Sequence, residues 1–123
     1  MSDIKFIDGG VCAPQGFTAN GMLCKIKASR TKNDTALVYS EKICNAAGTN
    51  RVKAESVKVT QKHIADGKAQ AAIECSGNAN CCTGKAGYDA AVRMAQCTAK
   101  TLGIKAEDVL VYTTGVIGAP FDV

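Results

Sequence analysis

The stretch 84-GKAGYDAAVRMAQCTAKTLGIKAEDVLVYTTG-115 carries two periods in succession, and the change between them decides the fold. Tyr88, Ala91, Val92, Ala95, Ala99 and Leu102 recur at i, i+3, i+4, i+7, i+11 and i+14. This is the apolar stripe of a helix lying on a core, with Lys85, Asp89, Arg93, Gln96 and Lys100 turned the other way. Gly103 stands where a left-handed residue ends such a helix, and Lys100 complements the negative end of its dipole. Glu107 and Asp108 then form a turn, and Val109-Leu110-Val111-Tyr112 reads as a strand.

Upstream, the chain reads as strands. Thr35-Ala36-Leu37-Val38-Tyr39-Ser40 alternates. So do residues 52–60, where Val52, Ala54, Ser56, Lys58 and Thr60 oppose Lys53, Glu55, Val57 and Val59, which predicts a second, partly exposed strand. The segment 62-KHIADGK-68 is a polar helical turn or a hairpin closing on Asp66-Gly67. Ala69-Gln70-Ala71-Ala72-Ile73-Glu74-Cys75 is a mostly apolar strand that breaks at Ser76-Gly77. Strands, a polar connection, a strand, one helix and a last strand predict an α/β layered sandwich with a mixed or antiparallel sheet. The length fits one domain, residues 1–123.

Composition narrows the function. Hydrophobic residues make up 46% and charged residues 21%, ordinary globular usage that excludes disordered, coiled-coil and collagen-like chains. Lys plus Arg exceed Asp plus Glu by 15 to 11, but the surplus is scattered through 25-KIKASRTK-32, 51-RVK-53 and 100-KTLGIK-105. With no Trp, three Tyr and three Phe, this is not the clustered basic and aromatic surface that nucleic acid requires. The surplus suits small anionic substrates instead. The start, 1-MSDIKFIDGGVCAPQGF-17, has no basic and apolar leader, and no apolar run reaches membrane-spanning length, so a cytoplasmic protein is expected. Seven cysteines form no C-x-x-C pair, the adjacent Cys81-Cys82 side chains are expected to diverge, and His63 is the one histidine. Reduced, mostly buried thiols follow, with no metal and no cofactor expected.

Three segments hold chemistry-bearing groups. The loop 76-SGNANCCTG-84 is either a shaped turn in which Thr83 caps the following helix or the scaffold of a catalytic loop; it lacks the G-K-[ST] of a phosphate loop. His63, in a solvated stretch without a Ser or Cys motif beside it, is not read as a catalytic base, and the neighbours Glu107 and Asp108 would point to opposite faces of a strand. Thr113-Thr114-Gly115-Val116-Ile117-Gly118 remains. It is either an ordinary glycine turn or a place where a Thr hydroxyl and a Gly amide converge on one oxygen, as an oxyanion requires in acyl transfer.

In order and at similar separations, 10-GVCAPQGFTANG-21, 35-TALVYSE-41, 46-AAGTNRVKAESVKVT-60, 76-SGNANCCTG-84 and 109-VLVYTTGVIGAP-120 resemble the N-terminal part of ornithine acetyltransferase, the glutamate N-acetyltransferase of cyclic arginine biosynthesis. The resemblance implies a precursor that cleaves itself ahead of a Thr, whose freed amine and hydroxyl act as base and nucleophile. Acetyl then passes from N-acetylornithine to that Thr and on to glutamate, some members also accepting acetyl-CoA. The Thr-Gly pair of the family's "TGVIG" element, here Thr114 and Gly115, forms the oxyanion hole. The nucleophile and most substrate contacts lie beyond residue 123 in the family.

The chain departs from the family pattern at Cys12 (a small or hydroxyl residue), Thr113 (Ser), Glu74 (Asn) and the shorter loop at Gly48-Thr49. The implied partner is a complementing C-terminal segment, or a second copy of this chain. The rival expectations are a catalytically inactive binding or oligomerisation module that kept the fold, and a thiol enzyme using Cys81 or Cys82 at lowered pKa.

Overall fold

The computed structural model describes residues 5–46, 53–121 and 123. Four strands form one sheet in chain order: β1 (Phe17–Met22), β2 (Thr35–Asn45), β3 (Lys68–Asn78) and β4 (Val109–Val116). β1 and β2 pair antiparallel, as do β2 and β3, whereas β3 and β4 run parallel. The parallel pair needs a crossover, supplied by helix α2 (Gly84–Leu102), while helix α1 (Glu55–His63) lies between β2 and β3 in the chain. The expected layered α/β architecture with a mixed sheet is therefore present.

Both helices pack on one face of the sheet. Alternation on β4 sends Val109, Val111 and Thr113 toward the helices, and Val109 and Val111 are at most 1% exposed. They join Ala71 and Cys75 of β3, Val59 of α1 and Ala91, Met94, Ala95 and Ala99 of α2 in one core. The i, i+4, i+8 alanines of α2, 0–4% exposed, let that helix lie close to the strands, and Tyr88, Val92 and Leu102 pack at its flanks. Gly103, at φ 69°, ends the helix as expected.

The expected strand over residues 52–60 is instead α1; Val52 and the shortened loop at Gly48-Thr49 lie outside the described residues. The buried set, Glu55, Ser56, Val59 and Thr60, has helical spacing. The apparent alternation arose from Ala, Ser, Lys and Thr, which carry little hydrophobic contrast. Residues 64–66 continue as a short 3₁₀ turn ending at Gly67 (φ 76°), so the helical-turn alternative for 62–68 is the one observed. β1 escaped the sequence reading because Asn20-Gly21, a turn dipeptide, lies inside it and the strand is mostly exposed. Its ladder to β2 holds it.

α1 also closes an edge. The Thr60 hydroxyl donates to the Val111 carbonyl (2.9 Å) and accepts from the Val111 N–H (2.9 Å). His63 Nδ1 lies 2.8 Å from the Val109 carbonyl, to which it donates. Side chains one helical turn apart thus stand in for the strand that β4 lacks on that side.

Candidate functional site

The two sequence candidates, Thr114 and Gly115, lie at the C-terminal end of β4. Their neighbour Thr113 points inward: its hydroxyl donates to the Ala79 carbonyl (2.8 Å) and accepts from Ser56 Oγ (2.6 Å). Alternation then turns Thr114 outward, where it is exposed. In the parallel ladder Thr114 stands opposite Ser76 and Gly115 opposite Gly77. Gly115 has φ +134°, and a Cβ there would overlap the Gly77 carbonyl and sit 2.7 Å from the Asn78 nitrogen. Glycine is required because two backbones meet, and the close approach fixes where the Thr114-Gly115 peptide sits.

The loop from β3 to α2 is the brace of this end. Asn78 Nδ2 donates to the Ala119 (3.2 Å) and Pro120 (2.9 Å) carbonyls, and its Oδ1 accepts from the Asn80 N–H (2.7 Å). Asn80, fully buried at φ 46°, donates from Nδ2 to the Gly87 carbonyl (2.8 Å), and its own carbonyl accepts from the Glu55 N–H (2.9 Å). Ala79 N–H to the Val116 carbonyl and Gly118 N–H to the Cys81 carbonyl, both 2.9 Å, complete the tie. One loop thus links α1, α2 and residues 116–120. Thr83 does not cap α2 with its side chain, contrary to expectation; its hydroxyl donates to Asn80 Oδ1 (2.7 Å) and tightens the loop instead.

A second loop, residues 23–34, crosses the same end of the sheet. Its anchor is Asp34, 3% exposed, whose carboxylate accepts from the Cys24 (2.7 Å) and Ile26 (2.8 Å) amides. Burial pushes the Asp34 carboxyl up, but the amides of Cys24, Ile26 and Asp34 itself, with the Arg30 charge, outweigh it and hold the group below its ordinary value. Ile26 covers Gly77, and Arg30 Nη2 donates to Ser76 Oγ (2.7 Å). Two grooves meet at the Ser76–Thr114 pair. One, of about 440 Å³, lies on the face away from the helices and includes Asp34, Glu74, Tyr112 and Thr114. The other, of about 500 Å³, is lined by Lys27, Arg30, Ser76, Gly77, Thr114 and Gly115 among others.

Thr114 and Gly115 are the candidates the sequence singles out; Arg30, Lys27 and Asp34, which the fold places beside them, it does not. Lys27 and Arg30 were visible only as part of the dispersed basic stretch 25–32, and Asp34 only as a polar residue after it, since what joins the two cations to this end of the sheet is a loop fold held by the buried Asp34 carboxylate. Glu74, which replaces the family's Asn, is exposed in the first groove; burial and then the Glu74 charge push the Tyr112 hydroxyl above its usual pKa.

Other expectations are corrected. His63 is half-buried and bound to β4 rather than solvated. Glu107 and Asp108 do lie in the expected turn ahead of β4, a 3₁₀ turn over Ala106–Asp108. Of the seven free thiols Cys75 is the buried one, Cys44 and Cys81 are half-buried and four are exposed, because most lie on loops or on the outer side of α2. The Cys81 and Cys82 sulfurs approach to 3.9 Å rather than diverging. That contact, then desolvation, raises the Cys81 pKa, opposite to what a reactive thiol needs. No helix among the described residues is long and apolar enough to cross a membrane.

Comparison with known proteins agrees with this frame. A solved arginine biosynthesis bifunctional protein ArgJ from Bacillus halodurans superposes with a TM-score of 0.85 at 40% identity, over 92% of this chain and 60% of that one. An ornithine acetyltransferase from Mycobacterium tuberculosis, solved in complex with ornithine, gives 0.83 at 40% identity, over 91% and 62%. In sequence, the arginine biosynthesis bifunctional protein ArgJ of Caldanaerobacter subterraneus is 47% identical over 95% of this chain and 29% of its own length. The glutamate N-acetyltransferase of Methanothermobacter thermautotrophicus is 43% identical over 94% and 28%. The chain thus spans about 30% of the length of the curated relatives it matches. The sequence pattern of the ArgJ family matches residues 18–123, and with that match and the shared fold the chain belongs to the ArgJ family.

Proposed function

We propose that this chain supplies the oxyanion hole of an acetyltransferase that moves acetyl from N-acetylornithine to glutamate, with the nucleophile carried by a complementing C-terminal segment. The observation that carries the reading is the exposed Thr114-Gly115 peptide, fixed by backbone contact with Gly77 where two grooves meet. When a nucleophile adds to the acetyl carbonyl, the carbonyl π pair moves onto oxygen. A hydroxyl and an amide already aimed at that oxygen stabilise the new charge without reorganising. Collapse of the adduct expels the ornithine nitrogen, which takes a proton, and leaves acetyl on the nucleophile; the amine of glutamate reverses the sequence.

The length relation and the sheet face that the helices leave open support such a complementing segment. Along that face run Val38, Ala72 and Leu110, lining an apolar groove of about 190 Å³.

The test is acetyl transfer measured with this chain mixed with the C-terminal remainder of a relative. Transfer in the mixture, reduced about 100-fold in kcat by Thr114→Ala, is the expected result. No transfer, from a mixture that associates and keeps its folded spectrum, overturns the reading and leaves a binding module.

A further inference from the structure

Beside the Thr114-Gly115 peptide the 500 Å³ groove carries two cationic side chains, Lys27 and Arg30. Arg30 is half-buried and oriented: one Nη2 hydrogen is spent on Ser76 Oγ at 2.7 Å, and Ser76 is the register partner of Thr114. The loop that presents it is fixed at both ends of its turn, by the Arg30 N–H to Lys27 carbonyl bond (2.8 Å) and by the two amides on Asp34. Among the described residues neither Arg30 nor Lys27 has a carboxylate within ion-pair distance. A held guanidinium with unspent donors in an open groove is a receptor for a carboxylate.

We infer that Arg30, assisted by Lys27, binds the α-carboxylate of the N-acylated amino acid whose acyl oxygen is held at Thr114 and Gly115. The inference rests on the acetyl-transfer reading and adds to it the group that orients the substrate. The chemistry of such a substrate fixes the spacing. Its acyl carbon is bonded to the amide nitrogen, the nitrogen to Cα, and Cα to the carboxylate, so acyl carbon and carboxylate carbon lie within about 4 Å of each other. Any site that grips the acyl oxygen must therefore meet the carboxylate in the adjoining space; of the two grooves that meet there, one carries Asp34 and Glu74 and repels a carboxylate, and the other is the one Arg30 and Lys27 line. N-acetylornithine as donor and N-acetylglutamate as product share the grouping, so one receptor serves both half-reactions.

The experiment compares N-acetylornithine with its α-carboxamide in the mixture of this chain with the C-terminal remainder. In the unaltered assembly the carboxamide is expected to have a kcat/KM about 10- to 100-fold lower, the loss of charged hydrogen bonds to one ion. In Arg30→Met the two substrates become nearly equal, and Arg30→Lys restores part of the difference. Lys27→Met, at an exposed position, narrows the difference about 3-fold and covers the case in which the Arg30 variants fail to assemble. A preference for the carboxylate that is unchanged in these variants overturns the inference while the acetyl-transfer reading stands. Transfer from neither substrate in the unaltered assembly overturns the acetyl-transfer reading itself.

Discussion

A single carboxylate shapes the neighbourhood of the site. Asp34 gathers the amides of Cys24 and Ile26 and lies near enough to Arg30 to feel its charge, and its own carbonyl accepts from the Ser76 N–H (2.7 Å). Its folded-state pKa is lowered, so its contribution to loop order is complete above the unfolded value of about 4 and is lost as pH falls through the folded value. The amide proton shifts of Cys24 and Ile26, followed by NMR as pH is lowered, are expected to move together with a midpoint below 3.8, and Asp34→Asn to abolish the titration at both. A midpoint above 3.8 would mean that burial, not the amides, dominates the group. Residues of this kind were illegible in the sequence: Asp34 stands within 31-TKNDTALV-38 as an ordinary polar residue before a strand. Gly115 was legible as a position that needs glycine, since it follows a strand-like run, and the close backbone contact with Gly77 is the reason realised.

Among the elements, long ones with strong hydrophobic contrast were readable and short polar ones were not. α2 announces itself by an apolar stripe over nineteen residues and a terminating Gly103. α1 spans nine residues and uses Ser56, Thr60 and His63 for contacts to β4, so its inward face reads as polar and its period is ambiguous. The same hydroxyls that hid the helix satisfy an otherwise open strand edge. Thr60→Val keeps the shape while leaving the buried Val111 N–H and carbonyl without partners, and is expected to destabilise the chain by about 3 kcal/mol. Thr101→Val removes a hydroxyl that bonds the Cys97 carbonyl on the exposed side of α2, and is expected to change stability by less than about 0.5 kcal/mol. Urea unfolding of the two variants gives the comparison directly. Equal midpoints would show that the edge of β4 is satisfied by water, and hydrogen exchange at Val111 would then be fast in both.

Among the described residues, taken as a whole, one sheet face is covered by helices and the other is not. α1 and α2 lie over Ala71, Cys75, Val109 and Val111, whereas the alternate residues Ala36, Val38, Ala72, Leu110 and Tyr112 face away from the helices. At the site end Tyr112, Val116 and Ile117 are 44%, 50% and 65% exposed, so apolar surface continues from this face to the Thr114-Gly115 peptide. Burying such a surface is favourable at roughly 25 cal/mol per Å², and a segment laid on it would be delivered beside the two grooves. On the proposed function, association and completion of the site are coupled: the contact that shields the sheet would also bring in the nucleophile. A charge placed on the open face separates this from a folding effect. Val38→Lys is expected to leave the far-ultraviolet spectrum and the Val111 exchange rate of this chain unaltered, since Val38 points away from the core. It is also expected to weaken association with the C-terminal remainder at least about 10-fold in sedimentation equilibrium, because a lysine charge must then be desolvated against apolar groups. Acetyl transfer should fall in the same proportion at limiting partner concentration and recover when the partner is in excess. Recovery marks a weakened contact, whereas transfer that stays low with saturating partner would place Val38 in the reaction itself.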